Sequence, residues 1–305
     1  MNKQLHPDLE AALTFYLKQR KNPPKEFAIG RGVIKDPTFL TVEKLQTYLS
    51  NPLLNSDWVT LIKNKNHLSL ENHIKWKMVQ HKKLVFMDKQ YLNDEINNGA
   101  AVVLEGLDIL DNNINNFVEK LESALPCAMA NCVALFSQNK NEAYGGHFDT
   151  DDVLAIQLSG EKHWSIHKPQ QRRFTNTYNL SPEQMGPQIK ELTMRPGDIL
   201  YVPAGVPHAC STVTEHSLHL AFDLCDRTPN VEEINQAVCE QYNHETEDAY
   251  ADTSAVIRKY MSLLKNNNFQ KNLKIETEHK AKEINDFRHS IGRASKFNAL
   301  TKFIK

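Results

Sequence analysis

The stretch GGHFDTDDVLAIQLSGEKHW, residues 145–164, contains two short β-type runs beside an unusual grouping of glycine, histidine and aspartate. The runs are Val153 to Leu158 and His163 to Ile166, and the segment Ser159-Gly160-Glu161 between them predicts a hairpin turn. Similar runs flank the stretch at Val133 to Phe136, Ile199 to Val202 and Leu218 to Phe222. Short strands separated by turn residues in this way are typical of an antiparallel sandwich or barrel.

Helical patterns lie on both sides of the β-rich region. Pro7 to Arg20 is spaced as an amphipathic helix, and Thr41 to Ser50 is a second helix with Thr41 as its N-cap. Between them and the β-rich region we predict strands at Trp58 to Ile62, Leu84 to Met87 and Ala100 to Leu104, and a helix from Asn113 to Leu125. Apolar spacing is helical again after Pro229. The fold class is therefore mainly β with α, with helical extensions at both ends.

Composition excludes several classes of protein. The 305 residues are 40% hydrophobic and 24% charged, which is typical of a globular chain large enough to bury a core. No apolar stretch approaches the ~20 residues of a membrane span, and the first ten residues are too polar for a signal peptide. Five cysteines without a CxxC pair argue against disulfides and a thiolate zinc site. We therefore expect a cytoplasmic protein with reduced thiols and no membrane partner.

Charge is distributed unevenly along the chain. The net charge is −1, but residues 258–305 contain 12 Lys or Arg and 4 Asp or Glu, so this segment carries +8 and the first 257 residues carry −9. A basic C-terminal segment can bind an acidic partner or nucleic acid, although lysine-rich helices are more often simply solvated. The charge alone does not choose between these alternatives.

Two histidines and one carboxylate are spaced as metal ligands. In a strand, His147 and Asp149 at positions i and i+2 share one face, whereas Phe148 points away. His208 ends a G-x5-P-x-G-x2-H turn, 59 residues after Asp149. Such a triad leaves other metal positions open and suits Fe(II), whereas structural zinc favours thiolates and a closed fourth position. We predict that His147, Asp149 and His208 converge on one metal ion.

These motifs resemble the cupin-fold JmjC-type 2-oxoglutarate oxygenases, in particular the branch that contains the ribosomal-protein hydroxylases. The resemblance lies in HFDTDDVLAIQLSGEKHW at 147–164, RPGDILYVPAGVPHA at 195–209 and HSLHLAF at 216–222. It extends more weakly to residues 39–54 and 99–107. The resemblance implies a double-stranded β-helix (jelly-roll or cupin) core at residues 28–228, with an N-terminal helix at 1–27 and a C-terminal helical region at 229–305.

The resemblance also implies roles for individual residues. His147, Asp149 and His208 would bind Fe(II), and Lys162 would pair with the distal carboxylate of 2-oxoglutarate, a dianion that needs a hydrogen-bonded cation in a partly dry pocket. Asn131 would line the cosubstrate pocket, and His219 matches a histidine of the last core strand, where a structural role is equally open. Asp223 stands where the family has a small hydroxyl residue.

The implied activity is that of an Fe(II)- and 2-oxoglutarate-dependent dioxygenase, which uses O2 to hydroxylate a C–H bond and releases succinate and CO2. Two alternatives remain: a cupin that uses the triad for other metal chemistry or for binding, and a degenerate family member that acts as an interaction protein. Lys162 discriminates between them, because a cupin without a dicarboxylate cosubstrate needs no cation there.

The substrate and the partners are less specified. A small amine, an amino acid, a peptide, a protein or a tRNA remain open; Asp151 and Asp152 would give an acidic mouth that favours a cation, whereas the basic C-terminal segment would favour tRNA. Ribosomal-protein hydroxylases carry a helical dimerisation region and a winged-helix domain after the core. No strand pair for a winged helix is evident after Pro229. We therefore expect that this domain is absent, that a ribosomal substrate is less favoured, and that the C-terminal helices form a homodimer.

Overall fold

The structure, a computed structural model, describes residues 5–20, 26–70, 73–125, 128–138, 143–169, 179–226, 231–245 and 253–291. Cys127 and the residues after 291 lie outside the described residues. The chain divides into two compact units with a boundary after Cys225, close to the one expected at residue 228. The first unit contains the main sheet together with the helix predicted at Pro7 to Arg20, and the second contains the C-terminal helices.

Eleven strands and nine α-helices are present in the described residues. The strands are β1 Ala28–Gly30, β2 Val59–Lys63, β3 Asn66–Leu68, β4 Ile74–Val79, β5 Lys82–Met87, β6 Ala101–Leu104, β7 Ala128–Gln138, β8 Asp152–His167, β9 Gln188–Met194, β10 Ile199–Val202 and β11 His208–Asp226. The helices are α1 Pro7–Arg20, α2 Val42–Ser50, α3 Lys89–Asn97, α4 Leu107–Leu110, α5 Asn112–Ala124, α6 Pro182–Met185, α7 Val231–Glu245, α8 Thr253–Lys265 and α9 Asn267–Ile291.

Nine of these strands form one antiparallel sheet. Its order is β1-β10-β8-β11-β7-β6-β2-β3, and β9 pairs with β8 outside this path. The long strands β8 and β11 pair with each other through nearly their whole length. Helices precede and follow the strands in sequence, so the predicted class, mainly β with an antiparallel jelly-roll core and helical regions at both ends, is confirmed.

Strand β8 does not contain the hairpin that Ser159-Gly160-Glu161 predicts. It continues in one direction through Gly160; along one edge β10 pairs with its first half and β9 with its second half. The register of β11 shifts opposite this point, where Thr212 pairs with Lys162 and Ser217 with Gly160. Gly160 has a φ of +64°, which glycine adopts readily, so the predicted turn is wrong and the segment is a β-bulge.

A second register shift changes which side chains of β8 face the interior. Gln157 pairs with His219 and Ser159 with Leu218, so Leu158 is one extra residue on β8. Before it, the odd-numbered Val153 and Ala155 belong to a buried apolar cluster; after it, the even-numbered Trp164 and Ile166 belong to the same cluster. Side chains alternate strictly along a regular strand, so only an irregularity can place both parities on one side. Lys162 has the parity of Trp164 and is 1% exposed.

Helices of the first unit are fixed by specific polar and aromatic contacts. Asp8 at the start of α1 accepts hydrogen bonds from the backbone N–H groups of Lys35 and Asp36, and Tyr16 packs edge-on against Tyr201 of β10. In α2, the Thr41 hydroxyl caps the helix by accepting from the Lys44 N–H, as its sequence predicts. The contacts of Asp8 and Tyr16 attach α1 to the rest of the first unit, and the Thr41 cap fixes where α2 begins.

The second unit consists mainly of α7, α8 and α9. Val238 of α7 and Leu263 of α8 are buried, whereas Ile257 and Met261 of α8 and Ile275 of α9 are exposed. Ile257 and Met261 are four residues apart and therefore share one face of their helix. Within the described part of the chain, no helix is long and apolar enough to cross a membrane.

Candidate metal centre and its cavity

His147, Asp149 and His208 converge on one point. The ligand atoms of the three side chains all lie within 4.8 Å of one another, and Nε2 of His208 is 3.6 Å from a carboxylate oxygen of Asp149. Two backbone hydrogen bonds form an isolated antiparallel bridge between His147 and His208. His147 therefore reaches the site through this bridge, outside the regular strand in which its sequence suggests it, and the predicted metal triad is assembled.

Backbone carbonyls orient both imidazoles. Nδ1 of His147 lies 2.9 Å from the Gly145 carbonyl oxygen, and Nδ1 of His208 lies 3.0 Å from that of Val206. A carbonyl can only accept, so each Nδ1 carries the proton and donates it, which leaves the lone pair on Nε2. A hydrogen bond of this kind fixes the tautomer and the ring orientation of a histidine that binds metal.

The protonation states of the triad also favour metal binding. Burial lowers the pKa of His147 to about 4, with a further contribution from His208, and burial lowers the pKa of His208 to about 4. Both rings are therefore neutral near pH 7, the form that a metal needs. Burial raises the pKa of Asp149, a cost that a bound cation would offset. Two neutral imidazoles and one carboxylate fit Fe(II) with open positions.

A cavity of about 160 Å³ opens beside the triad. One part of its lining is apolar or aromatic, from Val103, Val133, Leu135, Tyr144, Val153, Trp164 and Ala221. Another part is acidic, from Glu105, Asp151 and Asp223 together with the ligand Asp149. The cavity therefore joins a water-excluding wall to one lined by carboxyl groups.

The carboxyl groups in the acidic part of the cavity have raised pKa values. Burial, followed by the negative charges of Asp149, Asp151 and Glu105, raises the pKa of Asp223 to about 8. Burial also raises the pKa of Glu105. Asp223, which stands where the family has a small hydroxyl residue, thus places a carboxyl group in the cavity that keeps its proton at neutral pH. Glu105 is a site residue that no motif in the sequence marks; its one local signal is a charged residue directly after the four buried residues of β6.

Asp152 does not belong to the acidic mouth that its sequence position predicts. It is 2% exposed and accepts hydrogen bonds from the Tyr201 hydroxyl and the Ala204 N–H, and Arg20 lies 3.6 Å away. As the first residue of β8, Asp152 points to the side opposite Asp151, which lines the cavity. The role predicted for Asp152 is therefore wrong, and its carboxylate is structural.

Lys162 is a buried cation with an incomplete set of partners. Its Nζ donates to the Ser137 hydroxyl at 2.6 Å, and that hydroxyl also lies 2.7 Å from the Thr212 hydroxyl. Within the described residues Lys162 forms no ion pair, and burial lowers its pKa. Cys210, two positions from Thr212 and therefore on the same face of β11, lines the cavity, and Lys162 pairs with Thr212 just beyond that lining. A buried ammonium of this kind favours an anionic ligand.

Two unpartnered polar atoms lie at the same end of the cavity. His219 and Trp164 both line it, and neither Nδ1 of His219 nor Nε1 of Trp164 has a hydrogen-bond partner in the described structure, although both atoms are buried. Burial, then the charge of Lys162, lowers the pKa of His219 well below its ordinary value. His219 therefore lies at the site as predicted, and Trp164 is an addition that the sequence analysis had not singled out as a site residue.

Asn131 is not brought to the site. It lies on β7 with the same parity as Val133 and Leu135, which line the cavity, but its own side chain is exposed and does not contribute to the lining. The cavity does not extend along β7 as far as residue 131, so the parity of Asn131 alone does not place its side chain in the cavity. The predicted contact of Asn131 with the cosubstrate pocket is corrected on this ground.

The antiparallel barrel and its His-Asp-His triad define the class of metal-binding cupin-like proteins with open coordination positions. Residues 108–234 match the family described as the JmjC domain. This match confirms, for that part of the chain, the resemblance inferred from the motifs.

Two related proteins match this chain over only part of their own length. The bifunctional lysine-specific demethylase and histidyl-hydroxylase NO66 of Culex quinquefasciatus is 31% identical over 110 residues, 34% of this chain and 17% of that protein. Ribosomal oxygenase 1 of Rattus norvegicus is 28% identical over 105 residues, 33% of this chain and 18% of that protein. This chain thus spans less than a fifth of the length of both relatives.

The fold is also found among solved structures. An X-ray structure of E. coli ycfD superposes with a TM-score of 0.56 at 15% identity, covering 90% of this chain and 72% of that chain. A further structure of YcfD, a ribosomal oxygenase from Escherichia coli, in complex with cobalt and 2-oxoglutarate, has a TM-score of 0.53 at 14% identity and covers 86% of this chain and 70% of that one. At 14% to 15% sequence identity, this structural similarity shows that the fold is shared.

Proposed function

We propose that this chain is an Fe(II)- and 2-oxoglutarate-dependent dioxygenase that hydroxylates a C–H bond of a polar substrate and produces succinate and CO2. The observation that carries the proposal is Lys162, a buried cation without an ion-pair partner in the described residues, next to a triad suited to Fe(II). The names of the relatives and the YcfD complex with cobalt and 2-oxoglutarate support it.

Different residues of the chain would bind the metal, bind the cosubstrate and exclude water in such a reaction. When bound, Fe(II) and 2-oxoglutarate would supply the oxidising chemistry with O2. His147 and His208 present neutral Nε2 atoms, and Asp149 supplies the charge that holds the metal. Lys162 would bind the distal carboxylate, with Ser137 holding the ammonium in place. The indole of Trp164 and the neighbouring aliphatic side chains would keep water out.

The acidic wall points to a cationic substrate. Glu105, Asp151 and Asp223 line the cavity beside the triad, and a positively charged group there would relieve the repulsion that raises the pKa of Asp223. We infer that the substrate is a basic amino acid, an amine, or a basic side chain of a peptide or protein. The relatives' names, histidyl-hydroxylase and ribosomal oxygenase, are consistent with a protein substrate.

The test is succinate formation by the purified chain with Fe(II), 2-oxoglutarate and ascorbate under air. We expect basic amino acids or basic peptides to stimulate succinate release above the substrate-free rate, and acidic peptides of matched length to leave it unchanged. His208→Ala should lose the activity. Stimulation by tRNA, with a steep salt dependence and no effect of Glu105→Gln, would replace the cationic substrate by RNA.

Binding experiments with the same purified chain distinguish the proposed dioxygenase from the two alternatives, a metal-binding cupin of other chemistry and a non-catalytic binding module. Binding of Mn(II) without binding of 2-oxoglutarate would identify a metal-binding cupin of another chemistry. Failure to bind either would identify a binding module that has lost the reaction. Both outcomes would overturn the proposed activity.

We further propose that the chain acts in the cytoplasm as a homodimer formed by its C-terminal helices. Cys132 and Cys210 are buried and form no disulfide, which suits a reducing compartment. Val256, Ile257 and Met261 expose apolar surface along α8. Exposed stripes of this kind mark interfaces when they are contiguous.

A further inference from the structure

We propose that the β-hairpin β4–β5 is a binding surface for single-stranded RNA. This inference does not depend on the proposed oxygenase activity. The hairpin forms a two-stranded sheet of its own, separate from the main sheet. Every residue of β4 is exposed, and the first four residues of β5 are exposed as well.

Large apolar side chains are exposed on this hairpin at an unusual density. Trp76 is 63% exposed, Met78 53% and Val85 56%. In the antiparallel register Trp76 lies opposite Val85 and Met78 opposite Lys83, so these four side chains share one face. An isolated hairpin of this size is marginally stable in water, and a solvated tryptophan adds nothing to the fold. The surface is therefore suited to covering by a partner.

The charge of the hairpin specifies the chemistry of that partner. Four lysines, Lys75, Lys77, Lys82 and Lys83, lie between residues 73 and 87, and this segment has no Asp or Glu. Lys75 pairs with Asp88 at 2.5 Å, whereas the other three form no ion pair in the described part of the chain. Three unpaired cations on one small hairpin favour a polyanion.

Trp76 and Lys83 form the part of the surface on which an unstacked base would stack. The Lys83 ammonium lies 5.3 Å from the centroid of the Trp76 ring, over one of its faces. A purine or pyrimidine can stack on the exposed remainder of the indole, with Lys83 beside it on the same face. Lys77 and Lys82 lie on the opposite face of the two-stranded ribbon, so a strand that passes over the edge of the hairpin would bring its flanking phosphates to them. Alternation of an aromatic with cations is the arrangement by which proteins hold single strands, and unpaired strands are the usual target in RNA.

The turn and the base of the hairpin restrict its shape. Gln80 and His81 join the strands with φ angles of +48° and +66°, the pair of positive values that defines a type I′ turn. At its base Met87 is buried and His73 stacks on Tyr91 of α3. A pre-shaped surface loses little entropy on binding.

The test is fluorescence anisotropy of a labelled oligouridine of about 12 nucleotides, titrated with the full chain at several salt concentrations. We expect Lys77→Gln/Lys82→Gln to weaken binding and to reduce the slope of log K against log salt by about 1.4, since each phosphate contact contributes about 0.7. Trp76→Ala should weaken binding about 5- to 150-fold without changing the slope, because stacking is not a phosphate contact. Trp76→Phe should retain most of the affinity.

The matched control is Lys271→Gln/Lys282→Gln, which removes two exposed lysines from the basic helix α9. These variants should bind as the wild type does. An equal loss in the α9 variants would move RNA binding to the C-terminal segment and overturn the assignment. No binding at low salt, equal binding of single-stranded DNA, or binding only to anionic vesicles would also overturn it.

Discussion

The charge of Lys162 is neutralised by no other described side chain, and this feature has a measurable consequence. Replacing Lys162 by methionine keeps the length of the side chain but removes the ammonium that Ser137 holds. We expect 2-oxoglutarate to bind about 10- to 150-fold more weakly in the presence of Mn(II), which corresponds to the loss of one hydrogen-bonded charge. Calorimetric titration measures this directly.

Metal binding provides the internal reference for this variant. Since Lys162 is not a ligand, Mn(II) should bind Lys162→Met as it binds the wild type. The matched variant Lys190→Met changes an exposed lysine of β9 and should alter neither affinity. Unchanged 2-oxoglutarate binding in Lys162→Met would remove the cosubstrate assignment.

The raised pKa of Asp223 predicts a pH-dependent stability of the metal-free protein. The folded state holds the Asp223 proton up to about pH 8, whereas the unfolded chain releases it near the ordinary value of 3.8. The folded state therefore binds more protons between these values, so the carboxyl destabilises the fold increasingly as pH rises from about 4 to 8. We expect the free-energy difference between Asp223→Asn and the wild type to grow over this window and then to level off. Urea unfolding in EDTA measures it, and a difference that is constant with pH would contradict the assignment.

The site residues differ in how well the sequence could identify them. His147, Asp149 and His208 occur in short patterns of fixed spacing, and Lys162 follows 13 positions after Asp149 in the same stretch. Glu105 and Tyr144 enter the cavity from other segments through tertiary packing, and no local pattern marks them. Asn131 shows the opposite error, because parity predicts the face of a strand but not where the cavity ends.

At the scale of elements, Gly160 makes room for the irregular segment of β11 that lies opposite it, between Thr212 and Ser217. A Cβ atom built on Gly160 would lie 1.9 Å from the backbone oxygen of His216, and the φ of +64° is also strained for other residues. We expect Gly160→Ala to lower the free energy of unfolding by more than about 2 kcal/mol and to weaken 2-oxoglutarate binding with it. Urea denaturation together with calorimetry measures both effects.

Gly32→Ala is the matched control for this prediction. Gly32 also has a positive φ, +55°, but a Cβ atom there would meet nothing within 4 Å. It should cost about 1 to 2 kcal/mol, the penalty of the conformation alone. Equal losses in the two variants would show that the close approach to His216 is not what requires glycine.

Local signals were sufficient for most elements and failed where pairing decides the structure. The helix from Pro7 to Arg20 and the strand from Ile199 to Val202 have the predicted limits, because periodicity and proline mark them. Ser159-Gly160-Glu161 has the composition of a turn, and only the continuous pairing of β8 with β11 makes it a bulge. Strand β9 was missed since five of its seven residues are solvent-exposed or only partly covered and polar residues interrupt its pattern.

At the scale of the whole molecule, the exposed apolar face of α8 predicts self-association. Ile257 and Met261 are 57% and 45% exposed on one face of the helix. We expect light scattering at micromolar protein to give a mass twice the 34.9 kDa of one chain. Ile257→Asp/Met261→Asp should give the mass of one chain, because a buried interface does not tolerate unpaired carboxylates. A single-chain mass for the wild type would exclude the dimer.

The change of parity between Gln157 and Ser159 makes β8 sensitive to length as well as to composition. Removing the extra residue Leu158 would return the strand to simple alternation, and every side chain from Lys162 to His167 would exchange sides. His163 and Ser165 would then face the core, whereas Trp164 and the buried ammonium would face water. Natural or engineered variants of this segment should therefore tolerate substitutions more readily than single-residue insertions or deletions.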